Sequence, residues 1–367
     1  MLTSLVMDNY RCFSGFKCNF QALQLLLGSN GAGKSSVFHA LHGIKELIAG
    51  RPVSEIFRGA GLTAWRQDKR QQFQLGLCLN GVNYGYWLEI EHDKQGGRCR
   101  IVDEILSAEN DTLIKFHLGE ATLFRETEGR VENGGTFPFD WERSAISVIG
   151  ERGDNQQLVQ FRNAIAKWLF LEIRPRDIQE YSSKEAKILA SAGENFADWY
   201  RDLRQENISV INDAHSSLKG VIPGFRDIKL ERVGDTRRLV VSFSQEGSDE
   251  YNLGFQRLSD GQKCLIILYT LLAYAKHNGG MFFFDEPDNY VALREITPWF
   301  AEMAEACENK NMQSLIISHH PEVIDQLAES HGLWFSRPGN GRTEIGPYPV
   351  IEGLTPAETM VRGWDDE

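Results

Sequence analysis

The stretch Gly28-Ser-Asn-Gly-Ala-Gly33-Lys34-Ser35-Ser36 lies between the apolar run Leu23–Leu27 and a segment, 37–48, whose apolar residues have helical spacing. A G-x-x-x-x-G-K-S pattern between a strand and a helix is typical of a phosphate-binding loop. Glycines let backbone N–H groups surround an anion, and a helix N-terminus attracts negative charge. In such a loop Lys34 would hold the β- and γ-phosphates and Ser35 would ligate Mg²⁺. A glycine-rich turn before an ordinary helix is the alternative.

The stretch therefore predicts a site for a nucleoside triphosphate. The other loop residues expected to contact it are Asn30, Gly31, Gly33 and Ser36.

Composition limits the class of protein. The 367 residues are 42% hydrophobic and 25% charged, as in ordinary globular proteins, and are enough for two or three compact units. The formal net charge of −12 makes whole-molecule attraction to nucleic acid unexpected, so contact with DNA would need a local basic patch. Six scattered cysteines without a C-x-x-C pair favour reduced thiols. With no signal-like N-terminus and no membrane-spanning apolar run, we expect a cytoplasmic protein.

The pattern along the chain predicts three parts. Residues 1–150 would form an N-terminal lobe with the phosphate loop and a β-meander, 151–222 a helical insertion, and 223–367 a C-terminal lobe. Strands are expected at 1–8, 18–27, 145–149, 225–231 and 238–244, and helices within 158–171 and 195–218.

The meander is expected from Phe73 to about Phe124, because short alternating runs are separated by turn residues there. The turns are predicted at Asn80-Gly81, Gln95–Gly97 and Glu109–Asp111, and a mobile loop at Gly129–Gly135. The later helices are too short for the arms of a long coiled coil. His39 and His42 are interpreted as helix-surface residues, since no carboxylate or cysteine completes a metal site with them.

Two further segments follow in the C-terminal part. Leu258-Ser-Asp-Gly-Gln262 precedes an apolar helix and, taken alone, is a capping box formed by Ser259 and Gln262. Met281–Phe284 is an apolar strand followed by two acids, so Asp285 could hold Mg²⁺ and Glu286 could activate the attacking water. A buried strand that ends in ordinary turn residues would give the same pattern.

A last buried strand, Ser314–Ser318, is followed by His319. A histidine at that position can bond the γ-phosphate or position the water. A helix-start residue before Pro321 is the alternative.

These motifs, in this order, resemble the ABC-type ATPases, and among them the RecF-like and structural-maintenance-of-chromosomes-like heads. Leu258–Gln262 is similar to their signature motif, with Asp260 where glycine is commoner; Phe282–Glu286 is similar to Walker B, and His319 to the switch histidine. Asn9–Phe13 resembles the N-F-R-x-F stretch, which implies that Arg11 reaches the phosphates.

The resemblance implies an α/β phosphate-loop NTPase fold of the ABC-head type, with ATP and Mg²⁺ as ligands; the short helices predict that it has no long coiled coil. It also implies that Ser259 and Gly261 complete the site of a second subunit, so that a homodimer, or a higher oligomer, holds ATP between its chains. Ala292 stands where the family's D-loop usually has Asp or His, and Gln156 or Gln157 is the candidate for the Q-loop.

Three hypotheses for function remain. The first is an ATP-driven switch on DNA or on a DNA-acting partner, as in repair or antiphage defence. Its candidate contacts are Trp65–Arg70, Arg98 with Arg100, and Arg237 with Arg238, each of which could also be a solvated face. The second is an ATP-gated scaffold that holds an effector protein such as a nuclease. The third, the motor subunit of a transporter, is disfavoured by the meander and by the stretch Asn9–Phe13. No motif predicts an intrinsic nuclease.

Overall fold

The computed structural model describes residues 1–93, 97–127, 130–244, 250–309, 312–351 and 353–361. Two compact units are present: unit 1 comprises Met1–Trp168 and His331–Glu367, and unit 2 comprises Leu169–Ser330. The strands are β1 (Leu2–Asp8), β2 (Phe16–Asn19), β3 (Leu23–Gly28), β4 (Arg70–Leu79), β5 (Val82–His92), β6 (Cys99–Ala108), β7 (Asp111–His117), β8 (Glu120–Thr127), β9 (Arg130–Pro138), β10 (Leu169–Leu171), β11 (Tyr181–Ser182), β12 (Phe225–Val233), β13 (Thr236–Phe243), β14 (Tyr251–Gly254), β15 (Gly280–Asp285), β16 (Met312–Ile317), β17 (Gly332–Ser336) and β18 (Glu344–Pro347). The helices are α1 (Lys34–Ile48), α2 (Val53–Ile56), α3 (Gln156–Ala166), α4 (Phe196–Glu206), α5 (Ile208–Val221), α6 (Asp260–Asn278), α7 (Leu293–Asn309), α8 (Pro321–His331) and α9 (Pro356–Val361).

Unit 1 contains an eight-stranded antiparallel sheet in the order β2-β1-β4-β5-β6-β7-β8-β9. Its strands alternate between buried and exposed residues, and Phe73, Leu75 and Leu77 of β4 form part of the buried face. The predicted meander is therefore confirmed. Two of its turns also lie where predicted, at Asn80-Gly81, where both residues have positive φ, and at Glu109–Asp111. Residues 95 and 96 of the third turn lie outside the described residues.

Several local predictions for unit 1 are wrong. Residues 130–135 belong to β9, which pairs with β8, whereas 128 and 129 lie outside the described residues. Strand β9 is at the sheet edge and its described side chains are largely exposed, so the pairing does not require apolar residues. Residues 145–148 form a 3₁₀ turn instead of a strand. The single strand expected over 18–27 is divided between β2 and β3, which pair with different partners.

A second group of strands in unit 1 carries the phosphate loop. Strand β3 is buried along its whole length and runs parallel to β17, which in turn pairs antiparallel with β18. Strands covered on both faces lose the alternation of polar and apolar residues, as the run Leu23–Leu27 does. Helix α1 begins at Lys34, three residues before the predicted start at residue 37, and ends at Ile48 as predicted.

Unit 2 contains a group of parallel strands in the order β10-β15-β16, and its candidate catalytic residues follow the ends of β15 and β16. Helix α6 is buried along most of its length, and the Trp299 indole of α7 donates a hydrogen bond to Leu268 O of α6 at 2.9 Å. The prediction of a helix to residue 171 is wrong at its end, because Leu169–Leu171 pairs with Phe282–Phe284 of β15. That partner is more than a hundred positions away in sequence.

The helical segment expected over 195–218 is two helices. Asn207 has φ −148° and ψ 65°, which ends α4 and begins α5. Both helices belong to unit 2, as does the sheet β11-β13-β12, in which β14 also pairs with β13. The Tyr200 hydroxyl of α4 donates to Ile228 O at 3.2 Å and so ties the helix to β12. No helix within the described residues is long and apolar enough to cross a membrane.

Candidate nucleotide site

The phosphate loop uses glycine where no other residue fits. Gly28 has φ +134°, and a Cβ there would lie 2.0 Å from the Phe335 carbonyl oxygen. Gly33 has φ +110°, and its Cβ would lie 2.8 Å from Cys12 Sγ. Gly31 has φ +82° but open space around it, so only its backbone conformation favours glycine. The loop is thus packed at both ends, while Ser29, Asn30 and Gly31 are exposed to solvent.

Lys34 places its ammonium group inside this loop. The side chain is buried, and its Nζ donates to Gly28 O at 2.6 Å and Ser29 O at 3.0 Å. A buried ammonium needs such partners, and it leaves positive charge under the exposed backbone of residues 29–31. Ser35 and Ser36 are half-buried in the first turn of α1, which has no acidic residue there to repel an anion. These features fit a polyphosphate.

Arg11 is held beside the same helix turn by a tight loop. Tyr10 and Phe13 exchange backbone hydrogen bonds across it, and Arg11, at φ +51°, donates its N–H to Gly61 O at 2.8 Å. The Arg11 Nη1 atom donates to Ser36 Oγ at 3.2 Å. Arg11 is therefore a neighbour of the phosphate loop, and its expected contact with the phosphates stays a prediction.

Thr343 is a supporting residue that the sequence did not point to. Its backbone N–H donates to Cys12 O at 3.0 Å and its hydroxyl donates to Ala32 O at 2.8 Å. Thr343 thereby joins the loop that carries Arg11 to the phosphate loop. It is 311 positions from Ala32, and no motif surrounds it.

Within unit 2, Glu286 and His319 lie together after the ends of β15 and β16. The Glu286 N–H donates to Ile317 O at 2.9 Å, and Glu286 Oε1 is 3.8 Å from His319 Nε2. Asn289 Nδ2 donates to Glu286 Oε2 at 2.7 Å, a contact that sequence reasoning missed. Glu286 has φ +50°, an uncommon conformation for a residue other than glycine that often occurs at functional sites. Asp285 is half-buried at the tip of β15.

Asp288, which the sequence analysis did not select, is buried two residues further along. Burial raises the pKa of its carboxyl, and a hydrogen bond with Ser318 opposes that shift. One carboxyl oxygen, Oδ1, is buried without a hydrogen-bond partner in the described structure. A buried, incompletely bonded acid beside Glu286 is a feature of this region that packing alone does not explain.

The signature-like segment begins α6 with the predicted capping box. Ser259 Oγ accepts the Gln262 N–H at 3.2 Å, and Gln262 Oε1 accepts the Ser259 N–H at 3.1 Å. A Cβ on Gly261 would lie 2.8 Å from Tyr290 O, so this glycine allows close packing on the segment after Glu286. Asp260 lies 3.6 Å from Lys263 Nζ through one carboxyl oxygen.

The predicted residues thus form two groups, each brought together within its own unit. Unit 1 holds Arg11, Asn30, Gly31, Gly33, Lys34, Ser35 and Ser36, and unit 2 holds Ser259, Gly261, Asp285, Glu286 and His319. The proposed Mg²⁺ ligands Ser35 and Asp285 are oxygen donors, as that ion prefers. No cluster of three or more His, Cys, Asp or Glu suited to a metal occurs in the described residues. Ala292 is exposed just before α7, and Gln156 begins α3.

Comparison with known proteins gives a family and a fold. The family model described as "AAA domain, putative AbiEii toxin, Type IV TA system" matches residues 25–325. No curated protein matches the sequence.

Similar solved structures include an SmcHead bound to the C-winged helix domain of ScpA, with TM-score 0.55, 12% identity and coverage of 94% of this chain and 97% of that chain. The SMC head domain from Thermotoga maritima has TM-score 0.50, 14% identity and coverage of 95% and 99%. An Smc head domain with an extended coiled coil, derived from Pyrococcus furiosus and bound to the C-terminal domain of ScpA, has TM-score 0.51, 11% identity and coverage of 94% and 96%. At these identities the likeness establishes the fold, a phosphate-loop NTPase fold of the SMC-head type.

Proposed function

Because the chain belongs to the AAA-domain family described as "AAA domain, putative AbiEii toxin, Type IV TA system", we propose that it binds ATP with Mg²⁺ and hydrolyses it to ADP and phosphate. The observation that carries this proposal is the phosphate loop, in which the buried Lys34 ammonium is held by two loop carbonyls beneath exposed backbone. A glycine-rich turn before an ordinary helix would account for the glycines but not for a buried ammonium group.

Each residue has a proposed role. Lys34 and the backbone of Asn30, Gly31 and Gly33 bind the β- and γ-phosphates, and Arg11 adds a cation beside Ser36. Ser35 and Asp285 hold Mg²⁺, which when bound offsets phosphate charge. Glu286 accepts a proton from the attacking water as general base. Asn289 orients its carboxylate through the 2.7 Å bond, and His319 bonds the γ-phosphate or the water.

We further propose that two chains sandwich ATP, with Ser259 and Gly261 of one subunit contacting the nucleotide of the other. The start of α6 supports this role, because its first N–H groups form an anion-binding helix N-terminus. A two-fold interface would complete both sites together, and loss of the γ-phosphate would release them. The ATP-bound dimer would then be one state of a switch.

The test measures solution mass by light scattering with and without ATP and Mg²⁺. Glu286→Gln should bind ATP without turnover and double in mass, and Lys34→Ala, the matched control, should lose binding and stay at its starting mass. An unchanged mass of ATP-bound Glu286→Gln would contradict the sandwich. A wild-type protein that binds ATP but releases no phosphate would contradict the ATPase proposal separately.

We propose that the switch acts on DNA or on a DNA-acting partner, in DNA repair or antiphage defence. The net charge of −12 makes a local or partner-assisted contact necessary. A mobility shift of duplex DNA that weakens as salt rises would support direct contact, because phosphate contacts release counterions. Absence of a shift at low salt, with and without ATP, would contradict it.

A second candidate is an ATP-gated scaffold that holds an effector protein such as a nuclease. Two structurally similar head domains were solved bound to parts of ScpA, so a protein partner on a head of this fold has precedent. This candidate predicts slow turnover and co-purification of one effector that ATP releases or retains. A complex whose stability is the same with ATP, ADP and no nucleotide would contradict it.

A further inference from the structure

A cleft in unit 2 is lined largely by arginine. It has a volume of about 420 Å³, within the range of clefts that hold ligands. It lies among α4, β12 and β13. Its lining residues are Arg201, Arg204, Gln205, Leu230 and Arg237. None of these five is acidic, so the lining carries three positive charges in a protein whose formal net charge is −12.

Regular secondary structure brings these arginines together. Arg201 and Arg204 are three positions apart on α4 and therefore share one face of the helix. Arg237 is the second residue of β13 and lies directly opposite Arg232 of β12. Like charges on opposite strands repel each other, so this pairing is unfavourable unless an anion lies nearby. The hairpin thus adds positive charge to the side on which α4 already presents two arginines.

Of the three arginines of the cleft, Arg201 alone forms an ion pair among the residues that the structure describes. Arg201 Nη2 lies 3.4 Å from Glu185 Oε1, a pair at the protein surface. Arg204 Nη1 donates to the neutral Ile228 carbonyl at 3.0 Å and forms no ion pair with a described residue. Arg237 makes no ion pair and no side-chain hydrogen bond with any part of the chain that the structure describes.

Two arginines of the other basic clusters lie closer to acidic partners than Arg201 does. Arg66 lies 2.6 Å from Asp8, and Arg100 lies 2.7 Å from Glu91. Arg238, the neighbour of Arg237 on the opposite face of β13, lies 2.6 Å from buried Glu180. Of the basic pairs that the sequence suggested, Arg237 is therefore the member aimed into a cleft with its charge available.

We propose that the Arg201, Arg204 and Arg237 cleft binds phosphate groups, and that their source is the phosphodiester backbone of DNA. The planar guanidinium group presents paired N–H donors that match two phosphate oxygens, which favours arginine over lysine for this contact. For the identity of the ligand, the inference rests on the DNA-directed function proposed above. The cleft itself requires neither ATP nor a second subunit.

The experiment measures binding of a fluorescently labelled duplex to the full-length protein by anisotropy, without nucleotide, over a range of salt concentrations. The Arg201→Gln/Arg237→Gln variant removes two charges and leaves Arg204 on its carbonyl. The matched control is Arg226→Gln, which removes an exposed charge on the same β12 strand outside the cleft lining. Circular dichroism melting checks that each variant folds.

We expect the double variant to bind DNA at least about tenfold more weakly, since each charge-assisted contact contributes about that factor. The slope of log K against log salt should become less negative by about 2, because each of the two lost phosphate contacts contributes about 0.9 to its magnitude. Arg226→Gln should change neither quantity. Equal weakening by the control, or unchanged binding by the double variant, would overturn the proposal.

A second arm tests a free phosphorylated ligand with inorganic pyrophosphate in a Lys34→Ala background, where the phosphate loop is disabled. Pyrophosphate should raise the melting temperature of Lys34→Ala but not that of Lys34→Ala combined with the two arginine substitutions. If it does so while DNA does not bind, the phosphate site is upheld and its ligand is a small molecule and not DNA. No response to either probe would overturn the site. Because neither arm uses ATP hydrolysis, failure of the ATPase proposal would be seen separately in the phosphate-release assay.

Discussion

Glu286 combines backbone strain with the proposed role of general base, and the two can be separated by substitution. Its φ of +50° costs about 1–2 kcal/mol for a residue with a Cβ. Glycine removes that cost but adds unfolded-state freedom of about 0.4–1 kcal/mol. The bond from Asn289 to the partly exposed carboxylate contributes about 0.5–1 kcal/mol. Substitutions at this position should therefore differ from one another in melting temperature, while all of them lower ATP turnover.

The expected order of melting temperature without nucleotide is Glu286→Gly above Glu286→Ala, with Glu286→Gln close to wild type. The Gly and Ala variants share the loss of the Asn289 bond, so their difference, about 0.5–1 kcal/mol, is the strain of the Ala variant less the unfolded-state freedom that glycine adds. For a unit of this size that is about 1–4 °C. All three variants should lose about 10²–10⁴-fold in ATP turnover, the usual contribution of a general base.

Glu109 provides the matched control, because it is also a glutamate at φ +50° and its carboxylate accepts hydrogen bonds from Asn83, through the backbone N–H at 2.7 Å and Nδ2 at 3.4 Å. Glu109→Gly should show the same gain over Glu109→Ala, while both keep wild-type turnover. Circular dichroism melting and phosphate release are the measurements. If Glu286→Ala melted at or above Glu286→Gly, the strain argument would be refuted, and wild-type turnover by Glu286→Gln would refute the general base.

Three further outcomes are expected. Gly28→Ala should unfold more easily by at least about 2 kcal/mol in urea, because its Cβ would overlap a backbone oxygen, whereas Gly31→Ala, with open space, should lose only about 0.5–1 kcal/mol. Arg11→Gln should weaken ATP binding about tenfold in calorimetry while Ser36→Ala, which removes only the hydroxyl that Arg11 contacts, changes it less. Burial raises the pKa of Glu104 above its unfolded value of 4.5, so the unfolded chain loses this proton first as pH rises. The free energy of unfolding should therefore fall from about pH 4.5 up to the folded pKa and then level off, a slope that urea titrations of Glu104→Gln should lack.

The parts of the fold that the sequence predicted are those that contiguous residues specify. The phosphate loop needs particular glycines and one lysine within nine positions, and the structure gives a steric reason for Gly28 and Gly33. The meander is specified by alternation and by turn residues such as Asn80-Gly81, which adopt positive φ where a tight hairpin requires it. In both cases the residues that give the signal are contiguous, although Gly28 and Gly33 pack against Phe335 and Cys12, which are distant in sequence.

The parts that could not be predicted depend on distant partners. Leu169–Leu171 continues a helical pattern locally but becomes a strand, because β15 offers it a parallel edge. Thr343 has no distinguishing neighbours and gains its role only through Cys12 and Ala32. The positive φ of Glu286 could not be predicted from the sequence either, since a strand followed by two acids does not specify the sign of φ. Such features arise from tertiary contacts that override local preference.

The two interpretations of Leu258–Gln262, a capping box and a signature that binds a partner's phosphate, are compatible in physical terms. The Ser259 oxygen accepts the Gln262 N–H, but a hydroxyl also has one donor, which remains for a phosphate oxygen. The adjacent Asp260 would repel an anion, and Lys263 Nζ at 3.6 Å and Arg176 Nε at 3.7 Å offset its charge. Gly261 is required by the close approach of Tyr290 O whether or not a phosphate binds. The cap therefore fixes the start of the helix, and this structural role is compatible with the proposed contact to a partner's phosphate.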